Sequence, residues 1–127
     1  MKKTLYLIDF CNFSHALFSD YWDKKGEHEK RAVLWLCEKA ALCKDEFVLY
    51  LDGTYRSLGK DLSNMKKTFC EERSADEVLL EYALYCKDSG KRFCAVTDDG
   101  ELRGKLEKEK IKVLSCFSFY SFFEKKD

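Results

Sequence analysis

Proline is missing from the 127-residue sequence, and only six residues are glycine. No Gly/Ser linker, low-complexity tract or repeat of about 20–50 residues interrupts the chain, which leaves one compact domain over residues 1–127 as the simplest expectation. An excess of either charge is missing too. The 23 Lys plus Arg balance 23 Asp plus Glu, so no global field draws the chain to nucleic acid or to an anionic membrane. Any nucleic-acid site must then rest on local clustering. The seven cysteines are odd in number and contain no C-x-x-C pair. That speaks against a disulfide framework or a zinc knuckle and for reduced, mostly buried thiols in the cytosol. After "MKK" the apolar run ends within a few residues at Asp9. No segment approaches the roughly 18 apolar residues of a membrane span, so a soluble cytosolic protein without a membrane partner is expected.

What the sequence does contain is a globular mixture, 46% hydrophobic and 36% charged, with ten Phe and seven Tyr. That composition dismisses disorder, and a chain of this length buries about two-thirds of its unfolded surface around one core. "TLYLID" and "EFVLYLDG" are short apolar runs bounded by polar turns, the pattern of strands buried on both faces. "KTFCE", "RFCAVT" and "IKVLS" supply three further strands. Between the strands, residues 12–21 predict a short helix, residues 29–44 a longer one with apolar positions at 33, 34, 36, 37, 40 and 41, and "DDGELRGKLEKEK" a polar one. "SADEVLLEYALYCKDSG" is the most legible helix, with a capping-box pattern at Ser74 and Glu77 and a stop at Gly90. "FSFYSFF" reads as a short aromatic helix or turn. Strands alternating with helices imply a mainly parallel sheet covered on both faces, a three-layer α/β fold.

In such a fold Asp9, Asp52 and the pair Asp98-Asp99 each end a buried strand, and the carboxyl ends of the strands form the ligand crevice. Asp76, in the first turn of the helix opened by Ser74, flanks that helix's packed stripe. Helix capping explains any one of these acids equally well, but four at convergent positions are harder to dismiss. Gathered in one crevice, they would repel and raise one another's pKa unless a cation sat between them. Oxygen ligands suit Mg²⁺ or Mn²⁺, which can activate a bound water and stabilise the leaving oxygen of a phosphodiester. No H-E-x-x-H, Walker loop or G-x-S-x-G elbow suggests another chemistry. An acyl-phosphate enzyme with Asp9 as nucleophile would want a second Asp at position 11, where Cys11 stands. The basic stretch 56–73, with Arg56, Lys60, Lys66, Lys67 and Arg73, is either a solvated loop or a contact for a phosphate backbone. Asn12 reads first as a helix cap, and His15 as a satisfied helix histidine.

The order of these residues resembles the NYN domain, a PIN-like ribonuclease family, and most closely its YacP-like bacterial branch. "LIDFCNFSHALF" is similar to that branch's opening hydrophobic-D-G-Y-N-x-x-H motif, with Asp9, Asn12 and His15 in register. "VLYLDG" resembles its second-strand D-G and "SADE" its T-A-D helix start. "AVTDDGEL" resembles its V-T-S-D and the wider family's S/T-x-D-x-D/E-F/L. The resemblance spans nearly the whole chain. It implies a Rossmann-like PIN fold and endonucleolytic cleavage of RNA, free or on the ribosome, with Mg²⁺ or Mn²⁺ as cofactor. Carried over by position, Asp9, Asp76 and Asp99 would bind the metal, Asp98 would supply or supplement the third acid, and Glu101 matches a weaker fourth acidic position. Asn12 would orient Asp9 or the substrate. Phe10 and Cys11 stand where the branch has Gly-Tyr, and a bulky Phe there would change how closely an RNA backbone approaches. That departure keeps a second reading open: an inactive PIN-like module that holds RNA, the ribosome or a protein through residues 54–73 and "FSFYSFF".

Overall fold

Among the residues that the computed structural model describes, 3–19 and 26–125, the expected apolar runs become strands β1 Leu5–Asp9, β2 Glu46–Leu51, β3 Met65–Phe69, β4 Phe93–Val96 and β5 Val113–Leu114. They form one sheet in the order β3-β2-β1-β4-β5, and every neighbouring pair is parallel. Parallel neighbours cannot be joined by hairpins. Helices α1 Phe10–Phe18 and α2 Glu27–Ala40 both lie between β1 and β2, and irregular chain joins β2 to β3. Helices α3 Ala75–Asp88, α4 Gly100–Lys108 and α5 Cys116–Glu124 follow β3, β4 and β5, and the five helices cover the sheet on both sides. The expected α/β architecture with a parallel central sheet is the one observed.

Successive strand side chains point to opposite faces. Tyr6, Ile8, Phe47, Leu49, Leu51 and Val96 pack toward α1, α2 and α5, while Leu7, Tyr50 and Ala95 pack toward α3 and α4. Both faces are dry, which is why these strands read as near-continuous apolar runs. The first layer is dominated by aromatic rings. Phe119 lies 5.2 Å from Tyr6, 5.5 Å from Phe13 and 5.0 Å from Phe123, centroid to centroid. Each fully buried side chain of this size stabilises the fold by about 1.5–3 kcal/mol. Trp35 Nε1 donates to Glu124 Oε2 at 2.7 Å, and Lys39 Nζ lies 2.9 Å from the same oxygen, which ties α2 to α5. Cys37, Cys86, Cys94 and Cys116 are buried free thiols that fill space as small hydrophobes.

Several element boundaries differ from the sequence expectation for identifiable reasons. Helix α1 starts at Phe10 rather than at residue 12 because β1 passes directly into it, with Asp9 at the N-cap position. Residues 20 and 21 of that expected helix lie outside the described residues. Helix α2 spans Glu27–Ala40 rather than 29–44. Its last turn tightens as the N–H groups of Leu42 and Cys43 bond to Lys39 and Ala40, and Leu42 is left 79% exposed. Strand β3 begins at Met65, paired with Phe47, and stops before Glu71, whose φ of +57° turns it away from the strand. Strand β5 keeps only two residues, since Ser115 instead caps α5 by accepting the Ser118 N–H at 3.0 Å. Helix α3 follows the expectation: Ser74 accepts the Glu77 N–H, and Gly90, at φ +71°, ends the helix. No helix among the described residues is long and apolar enough to cross a membrane.

Candidate active site

Register and alternation together gather the acids. Asp9 pairs with Tyr50 and Ile8 with Val96, so Asp9, Asp52 and Thr97 fall at the carboxyl edge of three adjacent strands. Each stands two residues after a side chain that faces α3 and α4, namely Leu7, Tyr50 and Ala95. The N-termini of α3 and α4 bring Asp76 and Asp99 to the same edge. The result is a cleft of about 330 Å³ lined by the carboxylates of Asp9, Asp52, Asp76 and Asp99, with Asn12 and His15 beside them.

Capping accounts for part of this arrangement but not for Asp9. Asp99 accepts the Leu102 N–H at 2.9 Å, and Asp52 accepts the Ala75 N–H at 2.8 Å, so each spends one oxygen on the start of a helix. Asp9 stands at the N-cap of α1 without a capping bond from its side chain. Its carboxylate is buried and accepts from the Thr97 hydroxyl at 3.0 Å, while the Thr97 oxygen accepts the Asp99 N–H at 3.0 Å. Burial pushes the Asp9 carboxyl up to about 6. The charges of Asp52 and Asp76 add to the rise, and the hydrogen bond from Thr97 and the nearby Asn12 N–H oppose it. The adjacent acid diverges. By alternation Asp98 faces away from Thr97, and its Oδ1 accepts the Cys116 N–H at 2.9 Å at the start of α5. Asp98 is thus a helix cap outside the cleft lining. Glu101 also lies outside it, largely exposed and paired with Lys105 at 3.3 Å.

Among the described residues no three His, Cys, Asp or Glu side chains close on one point tightly enough to hold a metal ion by themselves. The donor set is nevertheless all-oxygen and mutually repulsive, which fits a hard divalent cation that keeps several of its waters and takes few carboxylates directly. The Cys11 thiol nearby is pushed up to about 12 mainly by burial, and it donates to Glu29 Oε2 at 3.2 Å.

The chain matches no protein-family model and no curated protein. It is similar in fold to Rae1 (YacP) from Bacillus subtilis. That match has a TM-score of 0.74 at 14% identity and covers 98% of this chain and 74% of Rae1. A tryptophan-to-leucine variant of Rae1 gives 0.73 at 16% identity, over 95% and 75% of the two chains. At such identities the likeness is one of fold.

On this Rae1-like frame the predicted basic set does not gather into one patch. Lys66 and Lys67 are neighbours on β3 and so point to opposite faces of the sheet. Lys66 borders a groove with Tyr82 and Tyr85, whereas Lys67 Nζ bonds the Lys60 carbonyl at 2.8 Å and Asp61 at 3.0 Å. Arg73 pairs with Glu81 at 2.7 Å, and Arg56 forks onto buried Glu29. Burial alone would raise the Glu29 carboxyl, but hydrogen bonds from Arg56 and Cys11 outweigh it and hold it below the usual range. Lys60 is exposed. Asn12 orients the site in two ways: its backbone N–H favours ionised Asp9, and its Oδ1 accepts the Asp98 N–H at 2.8 Å. Phe10 does not narrow the cleft. Its ring is fully buried 5.8 Å from Phe13, because the residue after Asp9 begins a helix whose packed face it joins. In "FSFYSFF" only part of the surface expected for a partner is outward: Phe119 and Phe123 are core, Phe117 and Phe122 exposed.

Thr97 and Glu29 were not among the expected site residues. Thr97 stands in "AVTDDGEL" directly before the two acids, and its hydroxyl joins Asp9 to the Asp99 backbone. Glu29 was legible from spacing, since it shares a helical stripe with Val33, Leu36 and Ala40.

Proposed function

We propose that this chain is a divalent-metal-dependent endoribonuclease. The observation that carries the reading is the convergence of Asp9, Asp52, Asp76 and Asp99 on one open cleft at the carboxyl edge of the sheet, with Asp9 buried and its charge opposed. The motif order resembling the YacP-like branch and the fold likeness to Rae1 (YacP) support it. Asp9, Asp76 and Asp99 would hold Mg²⁺ or Mn²⁺. Once bound, the ion supplies an activated water and a counter-charge for the leaving oxygen. The protein's own groups do the positioning. Thr97 fixes one oxygen of Asp9 and the backbone of Asp99 together, and Asn12 holds the turn between β4 and α4. Lys60 and Lys66, both exposed, remain as phosphate contacts for RNA. Hydrolysis by water needs no 2′-hydroxyl, and with the 3′ oxygen as the leaving group it would yield a 5′-phosphate and a 3′-hydroxyl.

Purified protein is expected to cut single-stranded RNA with Mn²⁺ and to stop with EDTA. Asp9→Asn should lower turnover at least about a hundredfold while leaving the fold intact. Full activity in Asp9→Asn would overturn the reading. The second reading, a binding module for RNA, the ribosome or a protein, loses part of the surface expected for it, because Arg56, Lys67 and Arg73 are committed to partners within the chain. It predicts RNA retention without cleavage and no response to EDTA.

A further inference from the structure

Glu29 lies on α2, outside the cleft, and is buried to 6% exposure. Around it is a cluster that reaches the cleft through the backbone. Arg56 Nε and Nη2 donate to Glu29 Oε1 and Oε2 at 3.0 and 2.7 Å, and the Cys11 thiol donates to Oε2 at 3.2 Å. The remaining arm of Arg56, Nη1, donates to the carbonyls of Asp52 and Thr54, each at 2.8 Å. The Cys11 sulfur accepts the Asp52 N–H at 3.3 Å. Both backbone groups of Asp52 are therefore held by one cluster, and Phe69 backs the guanidinium with its ring centroid 5.4 Å away. Asp52 passes the constraint on: its Oδ1 accepts the N–H of Ala75, the first residue of α3 and the neighbour of Asp76. Left-handed Gly53, at φ +85°, makes the turn out of β2 just beyond it.

We infer that Glu29, Arg56 and Cys11 are positioning residues that fix the Asp52 loop and, through Asp52, seat the N-terminus of α3 so that Asp76 faces Asp9 across the cleft. The inference takes from the proposed nuclease reading only what the cleft is for; the chain of contacts stands apart from it. It accounts for a buried carboxylate that no packing need explains, and for an arginine whose donors turn inward although it sits in a basic loop. Arg56→Lys keeps the charge but loses the planar fork that reaches Glu29 and two carbonyls at once.

The test is amide exchange in the full chain, read at Asp52 and Ala75, with Ala95 in the central sheet reporting global opening, alongside Mn²⁺ titration. In Arg56→Lys, exchange at Asp52 and Ala75 should quicken about tenfold with Ala95 unchanged. Mn²⁺ affinity should fall roughly tenfold, a change that a role in fold stability alone would not produce. Lys87→Gln, which removes an exposed ion pair with Glu109 near the far end of α3, should alter neither. Exchange at Ala75 at the wild-type rate in Arg56→Lys overturns the inference. Should that variant open globally, Cys11→Ala decides on the same two amides, since it removes only one bond to Asp52 and one to Glu29. Wild-type protein that binds no Mn²⁺ would overturn the metal reading, and the exchange rates would still decide the positioning role.

Discussion

Asp9 is held where burial and the carboxylates of Asp52 and Asp76 all disfavour its charge, so its carboxyl titrates at about 6 rather than at 3.8. Between those values the folded chain binds more protons than the unfolded one. Its contribution to stability is therefore fully present below the unfolded value and is lost as the pH rises through about 6. At neutral pH the ionised residue costs about 1–3 kcal/mol. Asp9→Asn is expected to stabilise the protein by that amount near pH 8 and to change little near pH 4, compared by denaturant midpoints. An equal difference at both pH values would contradict the electrostatic account. At this scale the motif positions were legible as residues but not as orientations. Asp98 and Asp99 are one bond apart in the sequence, and only the alternation out of β4 sends Asp99 to the cleft and Asp98 to the cap of α5. Phe10 follows Asp9 directly, yet its ring belongs to the core and leaves the cleft open.

The elements that were easiest to read are those whose neighbours impose one chemistry on every position. Strands β1, β2 and β4 are buried on both faces, and α3 carries both a cap and a glycine stop. Strand β3 lies two residues before "KTFCE", because an edge strand with Lys66 and Lys67 on opposite faces has no clean pattern. Helix α5 was legible only as aromatic. Its importance follows from Phe119, which touches Tyr6, Phe13, Trp35, Phe47 and Phe123. Phe119→Ala should cost about 3–5 kcal/mol in chemical denaturation, whereas Phe117→Ala, on the same helix but 66% exposed, should fall within about 0.5 kcal/mol of the parent. Equal losses in the two variants would mean that α5 does not anchor this layer.

Across the whole molecule, topology brings the four acids to one edge, and register and alternation turn them into one cleft. Parallel strands all end on the same side, and each following helix starts there. The contacts that tune the cleft were not legible, because Thr97 with Asp9 and Arg56 with Glu29 join residues far apart in sequence whose pairing depends on register. The zero net charge also reads differently once the fold is known. Much of the basic stretch neutralises acids of the same chain, which leaves the cleft as a local excess of negative charge. Such an excess calls for a cation. The most direct measurement is a crystal structure of the protein grown with Mn²⁺, with the ion located by anomalous scattering. Manganese is expected in the cleft, bound by Asp9, Asp76 and Asp99 directly or through water. A cleft without manganese, with those acids turned to other partners, would contradict the metal reading.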